Sequence, residues 1–254
     1  MANSNYTPDE MMTIAAARKL RDGDVCFVGI GKPSAAANLA RITHAPGVVL
    51  IYESGTIGAK PAVLPLSIGD GELADDAETV VSVPEIFRYW LQGGRIDVGF
   101  LGAAQIDKFA NLNTTVIGGS YEKPKVRLPG AGGAPEIASG AKEIWIIANH
   151  SKRMFVEKLD FCTSAAGNST KKRAPTTVIT DLGVMVANSV SGELTLTALH
   201  PGITVEQVKE ATSWNLQVNA TLEVTPAPTA DELAALRDLY ARTALAHGTS
   251  GEGE

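Results

Sequence analysis

The sequence predicts an α/β fold: a single domain built on an open, mostly parallel sheet flanked by helices. Two observations carry that expectation. The first 52 residues alternate helix, strand, helix, strand, which is the rhythm of βαβ units. A chain of 254 residues, 44% apolar and 20% charged, is also long for one domain, short for two, and apolar enough for a real core. The domain is expected to span residues 1–247, with the polar stretch GTSGEGE (248–254) as a disordered tail.

The elements follow in order. Thr7-Pro8-Asp9-Glu10 starts a helix: Thr7 caps, Pro8 suits the first turn, and Glu10 completes a capping box. The helix runs through MMTIAAARKL and stops near Asp22-Gly23. Val25 to Val28 is a short strand, closed by Gly29-Ile30-Gly31; Ser34 to Ile42 is helical; Val48 to Tyr52 is the next strand. The pattern resumes with a helix over Pro84 to Gln92 and strands over Asp97 to Leu101 and Glu143 to Ala148. Val178 to Asp181, Val184 to Val186 and Leu194 to Ala198 read as strands of a partly antiparallel section. Thr204 to Ala211 is a helix, and a last helix, Thr229 to His247, opens on a second Thr-x-x-Glu box. Gly118 to Gly140, rich in Gly and Pro, reads as a long loop, and loops of that length tend to be functional or disordered. Ser164 to Thr177 reads as a plain exposed loop.

Composition excludes several classes of function. The net charge is -6, and the densest basic cluster is Lys171-Lys172-Arg173 in a Ser/Thr-rich stretch, so nucleic acid is not an expected partner. No apolar run approaches the length of about 18 residues that would suggest a membrane span, and the N-terminus lacks a signal-peptide core, so a cytoplasmic protein is expected. The two cysteines, Cys26 and Cys162, have no metal-site or redox spacing, and no metal is expected. His44 and His200 read as helix-end and turn residues, and the three tryptophans as core.

Gly29-Ile30-Gly31-Lys32-Pro33-Ser34 follows a strand and opens a helix, and Glu53 ends the next strand 19 residues after Ser34. That approaches the dinucleotide-binding layout. Ser34, however, stands where the third glycine allows close helix–strand packing, and Pro33 removes an N–H that could face a pyrophosphate. No hydride-transfer machinery accompanies the turn. Gly29 and Gly31 are then a tight strand-to-helix turn that can still lie near a ligand.

Glu53 is the more informative residue. It ends the apolar run Val48 to Tyr52 and is followed at once by Ser54-Gly55. Such an acid can cap a helix or pair with a base. It can also be presented to a substrate, since ligands bind outside the carboxyl ends of strands in open α/β sheets, and a carboxylate can act as a covalent nucleophile. A second element is Gly130-Ala131-Gly132-Gly133-Ala134. A glycine loop is often only a turn, but it can also aim N–H groups at a developing oxyanion or a phosphate.

Three ordered motifs, YESG (52–55), FLGAAQIDKFANLNTT (100–115) and PGAGGAPEIA (129–138), resemble the small (β) subunits of class I CoA-transferases, specifically the branch of the glutaconate CoA-transferase β subunit. The likeness covers nearly the whole chain. The fuller stretches YESGTIGAKPAVLPLSIGDGEL and EIFRYWLQGGRIDVGFLGAAQID resemble the 3-oxoadipate CoA-transferase β subunits of aromatic-compound catabolism. The resemblance implies a CoA-transferase fold and a nucleophilic Glu53 that forms a mixed anhydride and then a glutamyl-CoA thioester. It implies CoA as substrate with no permanently bound cofactor. Gly130, Gly132, Gly133 and Ala134 are implied as oxyanion or CoA contacts. Ser54, Gly55, Gly29, Gly31, Gln105, Asn111 and Asn113 are candidates for positioning substrate or CoA, with turn-holding as the alternative for the two asparagines. An α subunit, in a heterodimer that assembles further, is implied as partner. Succinyl-CoA with 3-oxoadipate is the implied substrate pair; glutaconate or another dicarboxylate, and an acyl-CoA hydrolase or decarboxylase, are the alternatives.

Overall fold

The computed structural model describes residues 5–166 and 174–248. Within them the chain divides into two compact units, one made of residues up to Val98 together with those from Ala227 onward, the other running from Gly99 to Pro226.

The first unit opens with α1 (Pro8–Ala17), β1 (Val25–Phe27), α2 (Lys32–Ile42) and β2 (Val49–Ile51), with β1 and β2 parallel and Val25 opposite Val49. The Thr7 capping box is formed, with Thr7 Oγ1 accepting from Glu10 N–H and Glu10 accepting from Thr7 N–H. Ala35, Ala36, Ala37 and Ala40 are all buried, so α2 presents small residues inward and its backbone can approach its neighbours closely. β2 turns into β3 (Thr56–Ile57), then α3 (Glu72–Asp75) and β4 (Thr79–Val80) follow; β3 is antiparallel to both β2 and β4. The strand order is β1-β2-β3-β4. α4 (Val83–Glu85) leads into six residues of π-helix, Ile86–Leu91, where the sequence suggested ordinary helix. The wider turn is seen directly in Gln92 N–H donating to Phe87 O and Arg95 N–H to Trp90 O, both five residues back.

The second unit begins in β5 (Val98–Leu101) and continues through β6 (Gln105–Ile106), β7 (Leu112–Asn113), β8 (Val116–Gly119) and β9 (Pro124–Arg127). Next come α5 (Ala134–Gly140), β10 (Glu143–Ile147), β11 (Thr176–Ile179), β12 (Gly183–Ala187), β13 (Leu194–Leu199), α6 (Val205–Glu210) and β14 (Gln217–Val224). Its sheet runs β14-β13-β12-β11-β10-β5, with β10–β11 and β13–β14 parallel and β11–β12–β13 antiparallel, as the partly antiparallel section required. Two small antiparallel pairs, β6–β7 and β8–β9, stand apart. The expected long loop 118–140 is therefore corrected: it holds part of the β8–β9 hairpin and all of α5. Ser164 to Thr177 is not a plain exposed loop at its described ends either. Ser164 is buried and bridges to Leu112, and Thr176 and Thr177 are buried in β11. Lys171-Lys172-Arg173 and the tail beyond Gly248 lie outside the described residues.

The last helix, α7 (Ala230–His247), returns to the first unit. Its Thr229 capping box forms as expected, and it ends on Gly248 in the left-handed conformation. Glu232 takes two hydrogen bonds at 2.6 Å from Arg18, and Arg237 donates to Glu10 at 2.6 Å. The Arg18 guanidinium holds the Glu232 carboxyl down at about 2. No helix among the described residues is long and apolar enough to cross a membrane.

Candidate active site

β2 ends at Ile51, and the next four residues reverse the chain into β3. Gly55 N–H donates to Tyr52 O at 3.0 Å and Tyr52 N–H to Thr56 O at 3.1 Å, so Glu53 and Ser54 are the tip of a tight turn. Gly55 is obligatory there. Its φ is +115°, and a Cβ at that position would stand 1.9 Å from Val81 O. The contact has a purpose, because Val81 N–H donates to Gly55 O at 2.9 Å and ties the turn to the residue after β4.

Glu53 is half-buried at this tip. Among the described residues its carboxylate has no ion-pair or hydrogen-bond partner: it neither caps a helix nor meets a base. The hydroxyl of Ser54 is buried without a partner as well. Beside them, Gly31 caps α2 with φ +78°, and a Cβ on it would meet nothing within 4 Å. At Gly29 a Cβ would only graze Pro33, at 4.0 Å. Gly29 and Gly31 thus open space at the helix start, as a ligand-side turn requires. Ser34 is fully buried and bonded to Tyr52, which explains why a glycine is absent from that position.

The second unit carries the glycine loop. Gly130 N–H donates to Thr114 O at 2.9 Å and Gly130 O accepts from Thr114 Oγ1 at 2.7 Å, so this residue is pinned. Ala134 N–H is likewise used, on Ala131 O. Among the described residues the N–H groups of Gly132 and Gly133 donate to no protein acceptor, and Gly132 is exposed with φ +48°. Of the four loop candidates these two are the ones with N–H groups to offer.

Gln105, Asn111 and Asn113 form a different kind of cluster. Asn113 is fully buried, donating to Gln105 Oε1 and Val116 O, both at 2.7 Å, and accepting from Thr115 N–H at 3.0 Å. Gln105 Nε2 donates to Asp160 at 2.8 Å, and Asn111 Nδ2 donates to Asp107 at 2.9 Å while its Oδ1 takes Ala166 N–H. Their polar groups are committed to holding β6, β7 and the neighbouring loops, which matches the turn-holding alternative. Two cations that could have faced a dicarboxylate are also engaged: Lys60 pairs with Glu78 at 3.3 Å, and Arg127 donates to Tyr121 O.

Two polar groupings escaped the sequence reading. The first is Tyr52 with Ser34 and Asn38. The second surrounds His150, stacked on Phe155 with ring centroids 3.9 Å apart and bonded through Nε2 to Thr212 Oγ1 at 2.9 Å. Thr212 Oγ1 also bonds to Val208 O at 2.8 Å, and His150 Nδ1 lies 3.3 Å from Thr180 Oγ1. Burial pushes the imidazole down to about 4. No run of neighbouring residues announced either group. One cavity, of about 1040 Å³, is lined by residues of α5, the two residues after it, the segments at Ala165–Ala166 and Ala174–Pro175, and the β12–β13 turn, and holds none of the candidate site residues. Among the described residues no cluster of three or more His, Cys, Asp or Glu side chains could hold a metal.

The family model described as Coenzyme A transferase matches residues 9–211. The chain belongs to the coenzyme A transferase family. It is 62% identical over 260 residues, covering 99% of this chain and 100% of the relative, to the β subunit of 3-oxoadipate CoA-transferase of Pseudomonas knackmussii. It is 33% identical to the β subunit of glutaconate CoA-transferase of Acidaminococcus fermentans, over 87% of this chain and 88% of that one. The crystal structure of glutaconate coenzyme A-transferase from the same organism superposes with a TM-score of 0.85 at 29% identity, covering 92% of this chain and 95% of that chain. This CoA-transferase chain is thus an enzyme subunit of the β type, and its α/β fold with an open sheet and flanking helices is that of the family.

Proposed function

We propose that this chain is the β subunit of a two-chain, cytoplasmic CoA-transferase that moves CoA from succinyl-CoA to 3-oxoadipate, in the breakdown of aromatic compounds. The 62% identity to a 3-oxoadipate CoA-transferase β subunit supports the substrate pair and the α-subunit partner. The observation that carries the mechanism is the unpaired, half-buried Glu53 carboxylate at the tip of a rigid strand-end turn. A carboxylate free of partners keeps its lone pairs for an electrophile.

The Glu53 carboxylate attacks the thioester carbonyl of succinyl-CoA. The C–S bond breaks, CoA leaves as thiolate, and a mixed succinyl-glutamyl anhydride remains. The thiolate then attacks the glutamyl carbonyl, releasing succinate and leaving a glutamyl-CoA thioester on Glu53. The acceptor carboxylate attacks that thioester and the two steps run in reverse, giving 3-oxoadipyl-CoA and free Glu53. The thioester's free energy is conserved at each step, so the cycle needs no nucleotide. Gly132 and Gly133, with unused N–H groups, suit the oxyanions that form at each carbonyl. Gly29, Gly31 and Ser54 suit contact with the substrate or CoA, whereas Gln105, Asn111 and Asn113 act by bracing the loops that carry β6 and β7.

The test uses the complex with its α subunit. After incubation with succinyl-CoA and quenching with borohydride or hydroxylamine, mass spectrometry is expected to find the label on the peptide holding Glu53. Glu53→Gln is expected to lose the label and at least about 10³-fold in turnover. An unlabelled Glu53 with steady release of CoA into water would instead make the protein a hydrolase.

A further inference from the structure

β2 stops at Ile51, and both backbone hydrogen bonds of Tyr52 are internal to the turn it opens, reaching only Gly55 and Thr56. Those bonds shape the turn but do not fix it against the rest of the unit. Two attachments do. One is Gly55 O, held by Val81 N–H. The other is the side chain of Tyr52, which leaves the strand and ends against α2. Its hydroxyl lies 2.9 Å from Ser34 Oγ and takes a hydrogen bond from Asn38 Nδ2 at 3.3 Å. Asn38 Nδ2 also donates to Ser34 O at 2.9 Å and to Ser34 Oγ at 3.3 Å. Ser34 and Asn38 are one helical turn apart on one face of α2, and all three residues are 0% exposed. The chain of contacts continues outward: Asn38 Oδ1 accepts from Arg41 Nε at 3.3 Å, and Arg41 donates to Pro61 O at 2.8 Å.

We propose that Tyr52, Ser34 and Asn38 are positioning residues for transfer, a buried three-way hydrogen-bonded tie that fixes the Glu53 turn on α2 and so sets the direction of the nucleophile. The inference rests on the reading of Glu53 as nucleophile. Phenylalanine would fill the same space but leave the turn held only through its strand ends and the Gly55–Val81 bond, with nothing tying the start of the turn to α2. A serine at the glycine position of the strand–helix turn, and a tyrosine immediately before the acid, acquire one common explanation. Burial raises the phenol of Tyr52, which therefore stays protonated and serves as a hydrogen-bonding group, not a base. Reaction rates depend steeply on the placement of attacking atoms, and an error of 1 Å can cost about 10²-fold.

The experiment uses the complex with the α subunit and four variants: Tyr52→Phe, Ser34→Ala, their combination, and Ile14→Val as a control in the core of the same unit. Tyr52→Phe is expected to lower kcat about 10- to 100-fold, with KM for acyl-CoA and acid held within about twofold. The single-turnover rate of Glu53 labelling is expected to fall in parallel. The double variant is expected to fall little below Tyr52→Phe alone, because both substitutions remove the Tyr52–Ser34 bond and only the 3.3 Å bond from Asn38 to Ser34 Oγ is lost in addition. If Tyr52→Phe does not assemble, Ser34→Ala decides on the same kcat criterion. A kcat within twofold of wild type, in a complex where Glu53 still labels, overturns the positioning role alone. So does an equal loss of kcat in Ile14→Val at matched loss of Tm, which would mean general softening. A wild-type complex in which Glu53 never labels overturns the nucleophile assignment and this inference together.

Discussion

Gly55→Ala puts the smallest possible side chain into the Glu53 turn. The added Cβ would stand 1.9 Å from Val81 O, more than 1 Å inside the 3.0 Å below which real contacts essentially do not occur. The obstacle is backbone, so no side-chain rotation relieves it. The φ of +115° adds a conformational cost of about 1–3 kcal/mol for any residue with a Cβ. Two outcomes of relief are open to the chain, and both move Glu53. Either Val81 O retreats and the 2.9 Å bond from Val81 N–H to Gly55 O is lost, or the turn tip rotates and the Gly55 N–H bond to Tyr52 O is lost. A net loss of about 1 kcal/mol for the hydrogen bond, added to the conformational term, gives a destabilisation of about 2–4 kcal/mol. A displacement of the turn by about 1 Å is expected to lower kcat by about 10²-fold. The assay is steady-state CoA transfer by the assembled complex, with a thermal melt of the same sample. An alanine variant with wild-type kcat would refute the claim that this glycine sets the place of Glu53 for transfer.

Three further outcomes are expected. Asn113→Ala strands Val116 O and Thr115 N–H in a buried place, and is expected to lower stability by about 3 kcal/mol in urea titration. An unchanged stability with a raised KM would show that Asn113 touches substrate instead. His150, held down to about 4 by burial, resists protonation in the folded state, while the unfolded chain takes up a proton near 6.5. Its contribution is thus complete above pH 6.5 and is lost as the pH falls toward 4, by up to about 3 kcal/mol. His200, lowered by its own burial, acts in the same direction. His150→Gln is expected to flatten the stability profile between about pH 6.5 and 4.5, and an unchanged profile would count against it. The β chain purified without its α subunit is expected to transfer no CoA, so activity of that preparation would refute a two-chain active site.

Elements that bury an apolar face were legible in the sequence, and so were helices that begin with a capping box. Thr7 and Thr229 marked the starts of α1 and α7, because the box is a local reciprocal hydrogen bond, whereas the end of α1 falls at Ala17, before the Asp22-Gly23 stop the sequence suggested. The β8–β9 hairpin was not legible: Lys125, Val126 and Arg127 are exposed, so no alternation of apolar and polar residues marks it. The short β3 and β4 were hidden for a similar reason, being two residues each. At the candidate site, the strand that ends at Glu53 was legible from its apolar run, while Ser34 stood out only as a departure from the dinucleotide-binding pattern. The partner that explains Ser34 lies 18 residues away across a helix–strand contact, beyond the reach of periodicity. The same limit applied to Asn113 and Gln105, whose amides resemble ligand-binding groups until Asp160 and the Val116 carbonyl are seen to occupy them.

The return of α7 to the first unit bears on the order in which the protein can be completed. The unit that carries Glu53 is discontinuous, made of residues up to Val98 and from Ala227 onward. Arg18 and Glu10 find Glu232 and Arg237 on that last helix, and Leu64 N–H donates to Thr243 Oγ1 at 2.9 Å. During synthesis these partners leave the ribosome only after the whole Gly99–Pro226 unit has been made. The unit that carries Glu53 therefore cannot be completed until the intervening unit has been made, although β1 to β4 emerge before it. A chain stopped anywhere between residues 53 and 227 carries Glu53 yet lacks the helix that closes its scaffold, so such nascent fragments hold the Glu53 turn in an incomplete unit.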